Sequence, residues 1–345
     1  MGIRQINKNQ TGAALITVMI VVFIMMAIIA HLTVTNFRTI KRLGNRQLVE
    51  QASTIAFSAI DFGRAGLGTS ASTSQVDTLK DIWAQPIPKV KLFDDVYMSG
   101  NVIDEQSKFN LNDLVNRYGQ VNPNVLKQFT NLLTYINLSP DLATAIAYYM
   151  AAPQYQGSIS TQYSMSNPPS RPAGRPLVDI TELMLVKGMD ANTLQRMLKY
   201  VTVIPVSNFG FASESSVESQ PQNNDTSLSF GNGMQVNVNT AMPEVIAAKA
   251  GMPVNVAQRM ISERQAKSFG SQSDVVAFLG KNGIMNEKDG PNANKYNLSG
   301  LGVTSNYFTI HAVVDDQQDQ VKWVALVYRQ NRSGQWPQIL WRHPE

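Results

Sequence analysis

The hydrophobic positions of this chain are concentrated in one uninterrupted run near its start. Residues 13–37 include no Asp, Glu, Lys or Arg, and the stretch AALITVMIVVFIMMAIIA within them is almost wholly aliphatic. A helix of this length extends about 37 Å, which exceeds the hydrocarbon core of a bilayer at about 30 Å. A secretory signal peptide has an apolar run of only about 7 to 15 residues, and its helix does not continue. The pattern therefore predicts a membrane-spanning helix.

After this run the helical pattern continues, with apolar residues on one face only. Such a stripe is typical of a helix that buries one face. After one gap, its members recur at threes and fours: Ile40, Leu48, Ala52, Ile55, Ala59 and Phe62. The stripe persists to about Leu67, and no proline precedes Pro86. We predict one helix of roughly 55 residues, about 80 Å long. Its second half should pack on a folded domain, and the stripe should bind a partner, because a lone apolar face does not stay exposed.

The rest of the chain changes from strand to helix periodicity and back. Two short strands are predicted from the apolar positions Val96, Met98, Val102 and Ile103, and then Phe109 and Leu111. Between residues 111 and 290 the periodicity is helical. Strand patterns return at residues 306–316 and 321–330, with a hairpin turn over 315–320. A sheet built from both flanks would leave the helical part as a separate lobe, which is an α+β fold.

Composition restricts the chemistry that this chain can carry out. Of its 345 residues, 43% are hydrophobic, 16% are charged and none is cysteine. The absence of cysteine excludes disulfide scaffolds, thiolate zinc sites and cysteine nucleophiles. His31, His311 and His343 lack metal-ligand spacing, and no Gly-rich phosphate loop, nucleophile elbow or zinc-protease helix occurs. We therefore predict that the chain is not an enzyme.

The net charge of +4 is located at the amino-terminal end. The first 50 residues contain six basic residues and one acidic residue, a balance of +5, so the other 295 residues sum to −1. Binding of nucleic acid requires a basic face on the folded domain. A neutral bulk with a basic flank around an apolar segment therefore indicates a membrane surface, and no nucleic-acid partner is expected.

The first twelve residues, MGIRQINKNQTG, form a short basic segment that ends at Gly12 directly before the apolar run. This segment resembles a type IV prepilin leader. The resemblance implies that prepilin peptidase cuts between Gly12 and Ala13. Position five of the remaining chain is then Thr17, where most pilins and pseudopilins have a glutamate that partners the amino terminus of the previous subunit. A residue without charge is expected there only near a filament tip, unless Thr17 is an ordinary polar residue of an anchor.

Two further motifs complete a resemblance: DEQSKFNLNDL at residues 104–114 and VNVNTAMPEVIAA at residues 236–248. With the leader and the missing glutamate, they are similar to the K-type minor pseudopilins of the type II secretion system, the general secretion pathway protein K family. The resemblance implies a pilin-like long amino-terminal helix and antiparallel sheet, interrupted by a large helical domain.

The same resemblance implies a location and a role. The chain would cross the inner membrane once, with its globular domain in the periplasm. It would cap the tip of the pseudopilus and help to initiate its assembly with the I- and J-type minor pseudopilins, for protein export across the outer membrane. A minor pilin of a type IV or competence pilus would share the leader and the long helix, and is the alternative.

The expected domain division follows from this layout. It comprises the leader (1–12), the transmembrane part of the long helix (13–37), the pilin-like helix with the first strands (38–110), the inserted helical domain (111–290, with a polar loop at 207–233) and the C-terminal strands that complete the sheet (291–345).

Two segments of the helical part resemble each other, ELMLVKGMDANTLQRM at residues 182–197 and EVIAAKAGMPVNVAQRM at residues 244–260. Each predicts two helices joined by a tight turn, at Gly188 or Gly251, similar to the helix-hairpin-helix and SAM-like units of DNA-binding proteins. Residues 178–201 have three basic and three acidic residues, and residues 240–290 have six and five. Phosphate affinity comes mainly from excess positive charge. We therefore expect packing units that face protein partners, with a membrane-anchored DNA-binding protein as the alternative.

Calcium is the one inorganic partner that the resemblance suggests, because K-type pseudopilins are similar to calcium-stabilised folds. Hard oxygen ligands for it could come from carboxylates of the polar loops: Glu214, Glu218, Asp225, Asp315, Asp316 and Asp319. The polar loop has no EF-hand pattern, and solvated loop carboxylates are the alternative explanation.

Overall fold

A computed structural model describes residues 9–93, 95–204, 233–282, 296–315, 320–330 and 336–345. It begins with one continuous helix, α1 (Asn9–Thr73), of 65 residues. The single long helix is confirmed, but it ends at Thr73 and not near Leu67. The Ser- and Thr-rich segment stays helical because Ala71 is buried, and its hydroxyls bond to helix carbonyls, as Thr69 Oγ1 does to Ala65 O at 3.0 Å.

Five antiparallel strands form the sheet on which α1 lies. In spatial order they are β1 (Ile87–Phe93), β2 (Val96–Asp104), β7 (Tyr307–Asp315), β8 (Gln320–Tyr328) and β9 (Gln338–Pro344). The central pairing joins β2 to β7, from Tyr97 opposite Asp315 to Asp104 opposite Phe308. Strands from both flanks of the helical part therefore share one sheet, and the predicted α+β fold is confirmed.

Two details of the strand prediction differ from the structure. The edge strands β1 and β9 were not predicted, because an edge strand pairs on one side only and tolerates residues such as Pro88. The prediction that Leu111 lies in a strand is wrong. A strand of only two residues, β3 (Phe109–Asn110), pairs in parallel with β4 (Val201–Thr202). Leu111 then begins a 3-10 turn, because the Asn110 side chain accepts a hydrogen bond from the Asn112 amide.

The second half of α1 packs across this sheet. Ala59, Ile60 and Leu67 are at most 1% exposed, in a core that also contains Phe308 and Ile310 of β7. Burial of a side chain as large as leucine or isoleucine stabilises a fold by about 1.5 to 3 kcal/mol. The helix approaches closely because residue 63 is glycine: a Cβ there would lie 3.0 Å from Ile310 Cγ2.

The part of the chain between β2 and β7, called here the helical lobe, has its own hydrophobic core. Its helices are α2 (Pro123–Tyr135), α3 (Asp141–Met150), α4 (Ser158–Ser164), α5 (Ala191–Met197), α6 (Pro243–Ala250), α7 (Val254–Ala266) and α8 (Gln272–Lys281). Asn122 caps α2 and Pro123 occupies its first turn. The short strands β5 (Val236–Asn237) and β6 (Leu301–Gly302) pair in parallel. In the core, the rings of Phe109 and Phe129 stack at 5.3 Å.

Candidate assembly site

The first half of α1 has exposed side chains from residue 14 to residue 40. No part of the segment Ala14–Ile40 is buried, and large side chains such as Met19 and Phe23 are 66% and 74% exposed. Its 27 residues extend about 40 Å as a helix. By length and composition this segment can cross a membrane once. It ends a few residues later than the predicted span of residues 13–37.

The residues predicted around leader cleavage lie in this same helix. The backbone of Gly12 and Ala13 is helical, and cleavage between them stays a prediction. Thr17 is exposed, and its Oγ1 donates a hydrogen bond to Ala14 O at 2.9 Å. This bond turns the hydroxyl toward the backbone of its own helix and reduces the cost of a polar side chain in an apolar segment.

The predicted stripe is not one continuous partner-binding face. Ala52, Ile55 and Ala59 pack on the chain's own sheet, whereas Ile40 and Phe62 are 68% and 62% exposed. The Leu48 side chain lies outside the described residues. The division arises because the deepest contacts run through the adjacent positions of the helix, such as Ala56, Ile60 and Leu67. At about 100° per residue, Phe62 is rotated away from that line.

A buried polar joint connects the sheet to the helical lobe. Asp104, the last residue of β2, is 3% exposed. Its Oδ2 accepts hydrogen bonds from Thr240 Oγ1 at 2.5 Å, Ser305 Oγ at 2.6 Å and Asn237 Nδ2 at 3.3 Å, and its Oδ1 accepts one from the Gln106 amide at 2.8 Å. Asn237 and Thr240 precede α6, and Ser305 precedes β7. A single carboxylate therefore joins three distant parts of the chain.

A second carboxylate reinforces this joint from the end of α1. Asp77 pairs with Arg329, which follows β8, at 2.7 Å from Nη2 to both carboxylate oxygens, and each side chain is 1% exposed. Arg329 also donates to Ser305 O at 2.6 Å and to Leu67 O at 3.3 Å. Because Asn237 Nδ2 donates to Asp77 O at 3.1 Å, α1, the sheet and the lobe meet in one polar cluster.

The electrostatics of the joint raise the proton affinity of Asp104 above that of an ordinary aspartate. Burial raises the pKa of this carboxyl to about 6, and the nearby negative charge of Asp77 acts in the same direction. The hydrogen bonds from Ser305, Thr240 and the Gln106 amide oppose the increase, because they stabilise the ionised form. Of these effects, removal from water is the largest.

A second buried acid holds the interior of the lobe together. Asp113 accepts hydrogen bonds from Asn110 Nδ2 at 3.0 Å and from the Met234 amide at 2.7 Å, and lies 3.8 Å from Lys249 Nζ. Burial raises the pKa of Asp113, and the charge of Lys249 opposes this increase. Burial also lowers the pKa of Lys249. The Lys249 ammonium lies 5.1 Å from the centre of the Phe109 ring.

Comparison with known families matches most of the helical lobe. Two models described as "Type II secretion system (T2SS), protein K" match residues 107–206 and 236–295. The second match begins at β5 and contains Asn237, Thr240 and Lys249. Over these residues the chain is similar to the type II secretion system protein K family. The predicted resemblance to K-type minor pseudopilins is confirmed.

Individual members of the protein K family align over most of the chain. The protein K of Pseudomonas aeruginosa is 28% identical over 287 residues, 79% of this chain and 78% of that protein. The protein K of Klebsiella pneumoniae is 27% identical over 290 residues, 79% of this chain and 80% of that protein. One chain of the crystal structure of the GspK–GspI–GspJ complex from enterotoxigenic Escherichia coli aligns with a TM-score of 0.66 at 20% identity. The alignment covers 88% of this chain and 99% of that chain, so the two chains share a fold.

The turns of the two predicted hairpins have amides that are bonded within the chain. In the first, a 3-10 helix (Ile180–Leu185) and α5 flank Gly188, and in the second, α6 and α7 flank Gly251. Their φ angles of 87° and 69° favour glycine. Met189 N donates to Val186 O at 3.1 Å, and Met252 N donates to Ala247 O at 2.9 Å. A phosphate would have to displace these bonds, which favours packing over DNA binding. The helix-hairpin-helix and SAM-like resemblance stays a prediction.

Six carboxylates were predicted as calcium ligands, and only one of them lies within the described residues. That residue, Asp315, forms an ion pair with Lys89 at 2.8 Å. The others are Glu214, Glu218, Asp225, Asp316 and Asp319. Of the polar loop predicted for residues 207–233, residues 207–232 likewise lie outside the described residues. In the part of the chain that the structure describes, no three acidic or histidine side chains form a metal-binding group. Calcium binding stays a prediction.

Sequence reasoning missed the polar joint. Asp104, Asn237 and Thr240 all lie within the two motifs that carried the family resemblance, but no role was predicted for them. The available signal was polar residues alternating with valine in VNVNTAMP, a segment otherwise suited to burial. Asp77, Arg329 and Ser305 belong to no motif, and no pattern in the sequence connects them.

Proposed function

We propose that this chain is the tip subunit of a type II secretion pseudopilus. The observation that carries the proposal is the division of α1. Residues Ala14–Ile40 have no covering surface within the described chain, whereas the second half of the same helix is fixed to the sheet. Such a helix suits a subunit that is first held in a bilayer and then packed among the helices of a filament.

The proposed location follows from the same helix. The chain would cross the inner membrane once through Ala14–Ile40, with the sheet and the helical lobe in the periplasm. Prepilin peptidase would remove the leader after Gly12 and leave Ala13 as the new amino terminus. Thr17 would then occupy the position where most subunits have a glutamate, which suits the first subunit of a stack because it has no earlier neighbour.

The proposed partners are the I- and J-type minor pseudopilins. A solved structure that shares this fold is a complex of GspK with GspI and GspJ. In this chain, the apolar side chains that α1 leaves exposed beyond the membrane segment supply the contact surface. Phe62 is the clearest of these, since 62% of it is exposed although it lies beside the buried part of the helix.

The helical lobe supplies the capping action. A single helix is about 10 to 12 Å wide with its side chains, whereas a domain of about 150 residues is about 30 Å across. The joint at Asp104 and Asp77 fixes the lobe to the sheet, so the lobe cannot move aside easily. We expect it to block the addition of a further subunit above it, which gives the filament a defined end from which assembly for protein export begins.

Gold labelling of assembled pseudopili tests this position. With a small peptide tag in the polar loop at residues 207–232, we expect one label per filament, at one end. The same tag on the major pseudopilin provides the control and should label the shaft throughout. Labels of the tagged chain distributed along the shaft would contradict a tip position.

A further inference from the structure

Ser305 joins the two buried carboxylates of the joint into one cluster. Its amide donates to Asp77 Oδ2 at 2.8 Å, its hydroxyl donates to Asp104 Oδ2 at 2.6 Å, and its carbonyl accepts from Arg329 at 2.6 Å. The cluster therefore contains two carboxylates and one guanidinium, all at most 3% exposed. With both acids ionised, these three side chains carry two negative charges and one positive charge in a buried site, which is costly.

The charged groups around Asp104 do not compensate this charge. Arg329 is bonded to Asp77, and Glu105 is turned toward Lys108 at 3.0 Å and Thr202 at 2.5 Å. From α7, Arg264 donates to the carbonyls of Val238 and Ala241.

The surfaces in direct contact with Asp104 carry no charge. The lobe presents Asn237 and Thr240 to it, and the start of β7 presents Ser305. Within the described chain, no cation is hydrogen-bonded to Asp104, so the excess charge belongs to this carboxylate.

The geometry also provides a place for a proton. Thr240 Oγ1 lies 2.5 Å from Asp104 Oδ2 and 3.4 Å from Asn237 O. When Oδ2 carries a proton, this proton can be donated to Thr240 Oγ1, and the threonine hydroxyl can turn to donate to Asn237 O. The neutral carboxyl therefore keeps a bonded partner in the buried site, as the low-dielectric environment requires.

We propose that Asp104 is a proton-operated latch, which binds a proton from water, loses the excess charge and thereby tightens the joint between the sheet and the helical lobe. The latch concerns the fold of this chain and does not depend on its place in a filament. Since the pKa of about 6 in the folded chain lies above the ordinary value, the stabilisation is complete below about pH 4 and is lost as the pH rises through about 6. The shift corresponds to about a hundredfold change in the folding equilibrium.

Urea unfolding of the full chain in detergent, measured from about pH 4 to about pH 8, tests the latch. We expect the free energy of unfolding of wild type to fall as the pH rises to about 6 and to level off above it. Asp104→Asn should lose about a hundredfold of this dependence, whereas the contribution of Asp113, which has the same sign, should remain in both proteins. Ser305→Ala removes the hydrogen bond that most favours the ionised form, so the pH at which its curve levels off should move above that of wild type. Thr240→Ser keeps the hydroxyl and is the matched control.

Amide hydrogen exchange locates the effect in the molecule. We expect the protection factors of the Ser305 and Val238 amides, which are bonded across the joint to Asp77 and Gly302, to fall as the pH rises to about 6 in wild type and not in Asp104→Asn. Two results would overturn the proposal: an Asp104→Asn profile that keeps the wild-type pH dependence, or a Ser305→Ala curve that levels off at the same pH as wild type. If Asp104→Asn fails to fold, the comparison of Ser305→Ala with wild type decides.

Discussion

The two halves of α1 are parts of one helix with opposite relations to the rest of the chain. Over Ala14–Ile40 every side chain is exposed, and as far as Ala30 almost all of them are apolar. From Ala52 to Ala71, one face is buried under the sheet while the other faces water. The first half is therefore complete only in lipid or among other helices, whereas the second half completes the chain's own core. The comparison shows that a protein can carry its assembly surface and its folding surface on a single rigid element.

The largest expected difference between the halves is in folding stability. Leu67→Ala removes a fully buried side chain from the contact of α1 with the sheet, and such truncations cost about 2 to 5 kcal/mol. Ile24→Ala shortens a side chain that is 52% exposed in the first half, and it should leave the free energy of unfolding within about 0.5 kcal/mol of wild type. Urea unfolding in detergent measures both variants. Equal losses would show that the first half also contributes to the folded core.

A smaller effect on stability should distinguish two glycines in the second half of α1, which packs on the sheet. At Gly66 the nearest atom to an added Cβ is Trp83 Cα at 3.9 Å, so Gly66→Ala should stabilise the helix by up to about 1 kcal/mol. At Gly63 an added Cβ would meet Ile310 Cγ2 at 3.0 Å, and the contact should cancel this gain or reverse it. Thermal melts of the two variants test the difference. An equal rise in both would mean that the sheet does not press on α1 at Gly63.

The sequence predicted those parts of the fold whose pattern is local. The continuity of α1, the strands β7 and β8, and the helices α2 and α3 all follow from periods of 3.6 or 2, with Pro123 and Pro140 in or before the first turn of their helices. The stripe on α1 was also visible. What covers it was not, because periodicity identifies an apolar face without identifying the surface against it.

The polar joint was beyond sequence reasoning for a different physical reason. Its partners are brought together only by the folded sheet: Asp104 is 136 residues from Thr240 and 201 from Ser305, and Asp77 is 252 from Arg329. Each residue alone fits a polar turn, and solvated turns are the usual place for such side chains. Only the closure of the sheet from both flanks makes them buried neighbours.

The central claim is that other subunits complete what α1 leaves exposed. Its most direct test is co-purification of the full chain, in detergent, with tagged I- and J-type minor pseudopilins. Phe62→Asp places a charge on the exposed side of α1 and should abolish co-purification while leaving the unfolding midpoint unchanged. Met165→Asp, at a side chain that is 80% exposed on the helical lobe, is the matched control and should co-purify as wild type does. Retention of both partners by Phe62→Asp, or their loss only in Met165→Asp, would contradict the account.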